Sequence, residues 1–146
     1  MKRSHVAVPM LAAALSLLSA LPAGAVTKHA RMETYRAEFS SVYGKFVSAY
    51  KAVITDLTVG NRTAFTRTIV NLDANVGTLP HNSPSPAVNI DARQWVAAVQ
   101  HAVHLGLVYA SAPSTARSNS FATALSNSVN PAQKLANAIT AYLRTH

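Results

Sequence analysis

The sequence predicts an all-α fold, a small bundle of four to five helices that follows an N-terminal signal peptide. Apolar residues recur three and four positions apart over most of the chain, which is the period of an amphipathic helix. No segment has the alternation of apolar and polar residues that indicates a half-buried strand. The first 25 residues differ in composition from the rest, so they are treated separately.

Residues 1–25 have the organisation of a secretory signal peptide. A basic start is followed by an apolar run over residues 6–21 and by small residues at Ala23 and Ala25. The run is shorter than the roughly 20 residues that a membrane-spanning helix needs. We therefore expect cleavage after Ala25 and export of residues 26–146 as one helical domain to the periplasm, the cell wall or the medium. The alternative is that the leader stays attached as a membrane anchor.

Composition and charge exclude several classes of function. The 146 residues include no cysteine, which rules out a disulfide scaffold, a thiolate metal site and a cysteine nucleophile. The net charge of +8 becomes +6 when Lys2 and Arg3 leave with the signal peptide. A basic exported protein is attracted to anionic envelope components, and another exported protein is the other partner that we consider. Because the basic residues are scattered, we expect no specific nucleic-acid binding.

Two helices are predicted in the first half of the domain. The first covers residues 28–57, and the second covers about residues 62–76, with Asn61 as its N-cap and Gly77 as its C-terminal stop. The first helix carries five aromatic residues three and four positions apart: Tyr35, Phe39, Tyr43, Phe46 and Tyr50.

Prolines and caps organise the second half. Three prolines predict an extended loop over about residues 78–90. A third helix is expected to begin at Asp91, with Gln94 completing a capping box, and to end before Pro113. Its apolar stripe is Trp95, Val96, Val99, Val103 and Leu107.

A fourth helix, rich in serine and alanine, is predicted from the four-residue spacing of Phe121, Leu125 and Val129. The last helix is expected to start at Asn130, with Pro131 in its first position. The sequence leaves open whether these two helices are separate or form one rod that bends at the proline.

Histidines are the candidate metal ligands. His101 and His104 are one turn apart on the third helix, a spacing at which two imidazoles can share a metal. A third ligand would have to be His81, Asp73 or Asp91. The helical wheel places the histidine pair opposite the apolar stripe, so we expect the two rings to face solvent without a metal.

The aromatic stripe has two interpretations. The rings of Tyr35, Tyr43 and Tyr50 either line a pocket for a haem-like or apolar ligand or form the core of the bundle. We expect the core. Motifs for hydrolysis or phosphate binding are absent from the sequence, and Glu38 and Asp56 are about 27 Å apart along one helix, too far to share a substrate. The protein is therefore not expected to be an enzyme.

Two short motifs resemble those of the soluble periplasmic b-type cytochromes, which are four-helix bundles. They are Met32-Glu33-Thr34 near the start of the first helix and Ala141-Tyr142 in the last helix. The resemblance implies a haem with Met32 as one axial ligand. Leu143 stands where that family has its histidine ligand, and the nearest histidine is His146.

The sequence thus predicts a small basic exported protein with a binding or structural role and no catalytic centre or cofactor. A bundle that binds haem or an apolar ligand is the first alternative. A protein that acts on membrane surfaces is the second, because basic amphipathic helices bind anionic bilayers. Asn61 lies in an N-x-Thr pattern, which matters only if the chain passes through a eukaryotic secretory pathway.

Overall fold

The computed structural model describes residues 26–146, and this part of the chain is all-α, as predicted. The predicted signal peptide lies outside the described residues. Five helices follow one another in the described part of the chain: α1 (Lys28–Val59), α2 (Arg62–Gly77), α3 (Pro86–Ser111), α4 (Thr115–Asn127) and α5 (Val129–Thr145).

The helices form a closed bundle of four rods. Helix α1 packs against α2, α2 against α3, and α3 against both α4 and α5, while α5 returns to α1. Only Ser128 separates α4 from α5, so these two helices together make the fourth rod. No helix within residues 26–146 is long and apolar enough to cross a lipid bilayer.

Side chains cap the N-termini of the first two helices, and the second helix ends at Gly77 with Thr78 as its C-cap. The hydroxyl oxygen of Thr27 accepts a hydrogen bond of 3.0 Å from the backbone N–H of Ala30 and caps α1. Asn61 caps α2 as predicted, since its Oδ1 accepts from the N–H of Ala64 at 3.1 Å. Between the two helices, Gly60 has φ +72°, a left-handed conformation that glycine adopts without a steric penalty.

The predicted start of the third helix is wrong by five residues. Helix α3 begins at Pro86, so the proline-rich loop is only residues 78–85 and Asp91 lies inside the helix. The hydroxyl oxygen of Ser85 accepts from the N–H of Val88, and Pro86 occupies the first turn, where no N–H partner is required. The extra turn also buries Val88, whose side chain is 1% exposed.

The last helix begins slightly before its predicted cap. Helix α5 starts at Val129, which places Pro131 within its first turn. The backbone nitrogen there has no helical partner in any case, so the proline neither breaks nor kinks the helix at that point. The hydroxyl of Ser128 donates a 2.6 Å hydrogen bond to the carbonyl oxygen of Leu125 at the junction of α4 and α5.

Aromatic rings fill the centre of the bundle. The ring of Trp95 on α3 lies 5.6 Å from that of Phe39 and 5.5 Å from that of Phe46, both in edge-to-face geometry. A second cluster joins three helices, because Phe65 lies 5.5 Å from Tyr109 and 5.3 Å from Phe121. Such pairs bury large apolar areas and add a directional preference between neighbouring rings.

The apolar face of α3 differs from the predicted stripe at one end. Leu107 is 40% exposed, although the sequence pattern placed it in the core. The buried position in that turn is Gly106, where α3 meets Ile69 of α2 and Phe121 of α4. Helices α2 and α4 pack against α3 from different directions. Their positions therefore determine which residues of α3 are buried, and the most apolar stripe of α3 does not.

Candidate functional site

A cleft of about 320 Å³ opens between the beginning of α1 and the proline-rich loop. We call it the α1–loop cleft. Its walls combine apolar and polar side chains, and its volume is at the lower end of the range found for small-ligand sites. The residues that line it are Val26, Ala30, Arg31, Thr34, Tyr35 and Glu38 from the chain around α1, with Asn82, Ser83 and Pro84 from the loop.

Hydrogen bonds hold the loop wall in one conformation. The N–H of Ser83 donates to Oδ1 of Asn89 at 2.7 Å, and Nδ2 of Asn89 donates back to the carbonyl oxygen of Ser83 at 3.1 Å. The hydroxyl of Ser83 donates to the carbonyl oxygen of Ser85 at 3.0 Å and accepts from its N–H at 3.2 Å. The loop therefore presents a preformed wall, anchored on the first turns of α3.

Tyr35 connects α1 to the proline-rich loop. Its side chain is only 3% exposed, and its hydroxyl donates a 2.9 Å hydrogen bond to the carbonyl oxygen of Pro80. Burial raises the pKa of Tyr35 to about 12, and the nearby negative charge of Glu38 contributes to the same shift. The phenol is consequently neutral at physiological pH and acts as a hydrogen-bond donor.

Two opposite charges remain available in the cleft. Arg31 and Glu38 are exposed side chains, and within the described residues neither forms an ion pair. By contrast, Glu33 on the same helix is paired with Arg36 at 2.6 Å. Arg31 and Glu38 are seven residues apart, so they share one side of α1 and are separated by about 10.5 Å along its axis.

The histidine candidates are distributed over the surface. His101 and His104 are exposed on α3, one turn apart, on the face that the helical wheel indicated, and His81 is exposed in the loop. Asp91 pairs instead with Lys134 of α5 at 3.3 Å. In residues 26–146 no three side chains of the types that bind metals come together in a group that could hold an ion.

The two axial-ligand candidates lie in different surroundings. Met32 is fully buried in the core of the bundle. His146, the last residue of the sequence, is exposed. Its ring stacks on that of Tyr142, with 4.0 Å between the ring centroids and 5° between the ring planes. Leu143, which replaces the family's histidine, is partly buried against the core.

The remaining tyrosine candidates contribute to packing. Tyr43 and Tyr50 are half-buried, and their rings lie 5.9 Å and 6.0 Å from that of Phe46. Tyr43 also approaches Trp95 at 6.1 Å. These contacts make the aromatic stripe a wall of the core, with only Tyr35 also lining the α1–loop cleft.

Sequence reasoning did not identify Arg31, Asn82 or the cleft itself. The seven-residue spacing of Arg31 and Glu38 was a usable signal, because residues seven apart lie on the same side of a helix. The contribution of Asn82 had no such signal, since its loop reaches α1 only in the folded chain.

No protein family model, curated protein or solved structure matches this chain. The function must therefore be inferred from the residues of the chain and from the cleft that they form.

Proposed function

We propose that this protein is exported and acts as a non-catalytic binding protein in the cell envelope or outside the cell. The observation that carries this proposal is the α1–loop cleft, which combines hydrogen-bonded walls with two free opposite charges. A preformed site of this kind can select a small polar ligand without having to order its own walls upon binding.

The boundary of the folded domain supports export. The cap of α1 is Thr27, two residues after the predicted cleavage point at Ala25. Removal of residues 1–25 would therefore leave every described helix and its cap complete. A mature net charge of +6 also suits an environment of anionic polymers or lipid headgroups.

The chemistry of the cleft favours binding over catalysis. The hydroxyl of Thr34 donates to the carbonyl oxygen of Ala30 at 3.2 Å, and that of Ser83 is held by the backbone of Ser85. Among residues 26–146, no histidine lines the cleft to activate either hydroxyl as a nucleophile. The groups that are free, a guanidinium and a carboxylate, recognise charge and hydrogen bonds.

Export can be tested with the full chain produced, leader included, in a secreting bacterial host. We expect the protein in the exported fraction, with an intact mass that corresponds to residues 26–146. A matched variant carries leucine at both small positions, Ala23→Leu and Ala25→Leu. It should keep its leader and show the mass of the full chain, because a signal peptidase requires small residues there. Full-length wild-type protein that stays in the cytoplasmic fraction would contradict the proposal.

A further inference from the structure

The charges of the α1–loop cleft are arranged in a definite order along α1. Arg31 lies in the first turn of the helix, where the helix dipole adds positive potential, and Glu38 lies two turns further on. Cleavage after Ala25 would place a new α-ammonium group on Val26, which also lines the cleft. One end of the cleft therefore favours an anionic group and the other end a cationic group.

The spacing of Arg31 and Glu38 along α1 indicates the length of ligand that could reach both side chains. Arg31 and Glu38 are about 10.5 Å apart along the helix axis. An extended peptide advances about 3.3 Å per residue, so about three residues separate groups that reach both side chains. A free peptide of this length carries a carboxylate at one end and an ammonium at the other.

We propose that the α1–loop cleft binds a short, extended peptide of about three residues with both termini free. Its carboxylate lies beside Arg31, and its amino group lies beside Glu38. Asn82 offers an amide to the peptide backbone from the loop wall, while Ala30 and Pro84 provide apolar surface for small side chains. This inference deepens the proposed binding function and depends on it.

The binding experiment uses trialanine as the probe and the full chain as recovered after expression with its leader, whether or not the leader has been removed. Amide chemical shifts are followed by NMR during the titration. A ligand of this size is expected to bind with a dissociation constant of the order of 1 mM. The shifts should be concentrated at Thr34, Asn82 and Ser83, which line the cleft.

Two blocked peptides test each end separately. N-acetyl-trialanine lacks the ammonium group, and trialanine amide lacks the carboxylate. Each should bind at least about fivefold more weakly than trialanine, since each loses one charge-assisted contact. Arg31→Gln should remove the preference for the free carboxylate, and Glu38→Gln should remove the preference for the free ammonium.

Lys45→Gln is the matched control, because Lys45 is also exposed on α1 but does not line the cleft. It should bind all three peptides like the wild type. Shifts that are absent up to about 10 mM trialanine, or spread evenly over the surface, would overturn the inference. Equal binding of the three peptides would overturn it as well. Failure of export is detected independently, by the intact mass and the cell fraction, so the two proposals can fail separately.

Discussion

The hydroxyl of Tyr35 on α1 donates a 2.9 Å hydrogen bond to the carbonyl oxygen of Pro80, 45 residues further along the chain. This bond ties the first helix to the loop that forms the opposite wall of the cleft. Tyr35→Phe should lower the free energy of unfolding by about 1 kcal/mol, because phenylalanine has no hydroxyl and the carbonyl oxygen of Pro80 then loses its hydrogen-bond donor. Urea denaturation followed by the fluorescence of Trp95 measures the change.

Tyr43→Phe is the control for this substitution. Tyr43 is half-buried, and within the described residues its hydroxyl makes no hydrogen bond. It should therefore change the free energy of unfolding by less than about 0.5 kcal/mol. Equal effects of the two substitutions would mean that the contact between Tyr35 and Pro80 does not stabilise the protein.

The raised pKa of Tyr35 predicts a specific dependence of stability on pH. The folded state holds this pKa at about 12, above the ordinary value of 10.0, so folding favours the neutral phenol. The resulting contribution is complete below pH 10 and is lost as the pH rises towards 12. The difference in free energy of unfolding between wild type and Tyr35→Phe should therefore shrink over this range. A difference that stays constant from pH 9 to about 12 would contradict the assignment.

Two leucines test which face of the helices is buried. Leu125 on α4 is 0% exposed and Leu107 on α3 is 40% exposed. Leu125→Ala should cost about 2–5 kcal/mol of stability, since it leaves a cavity in the core. Leu107→Ala should cost far less, because much of that side chain is already in contact with water. Equal losses in the free energy of unfolding, measured by urea denaturation, would contradict the exposed position of Leu107 on α3.

Gly106 marks the closest approach between helices. A Cβ atom at this position would overlap with Cδ1 of Ile69 and lie 2.9 Å from Cε1 of Phe121. Gly106→Ala should therefore destabilise the bundle by about 1–3 kcal/mol, despite the higher helix propensity of alanine. The matched substitution Gly44→Ala meets nothing within 4 Å and should stabilise α1 by up to about 1 kcal/mol.

A second change should relieve the crowding at Gly106. Ile69→Val removes the Cδ1 atom that lies nearest to the added methyl group. In the double variant, Gly106→Ala should therefore cost less than it does in the wild-type background. Thermal unfolding of the four proteins gives this coupling, and purely additive effects would show that Ile69 is not the obstacle.

Ser85 decides where α3 begins. Its hydroxyl oxygen accepts from the N–H of Val88, so Ser85→Ala should lower the free energy of unfolding by about 1 kcal/mol. Ser120→Ala is the control, since Ser120 lies inside α4 and is exposed. It should be neutral or slightly stabilising, because alanine has the higher helix propensity. A neutral Ser85→Ala would favour a helix that begins later, as the sequence alone suggested.

The sequence pattern was sufficient for most of the fold. The aromatic spacing from Tyr35 to Tyr50 predicts a buried face of α1, and the residue type at Asn61 predicts the cap of α2. The pattern was less reliable at Ser85 and Pro86, because the capping signal at Asp91 and Gln94 competed with the correct one. Both pairs satisfy the local chemistry of a helix start, and only the burial of Val88 distinguishes them.

By itself, the sequence determined the helical class, the approximate extent of each helix and the absence of cysteine chemistry. These properties depend on residue types and on neighbours three or four positions away, so they are local in the sequence. Tertiary structure decided that Gly106 rather than Leu107 faces the core, and that Arg31 and Glu38 face Asn82 across a cleft. Those relationships join residues that are far apart in the sequence, and packing between helices fixes them rather than any local preference.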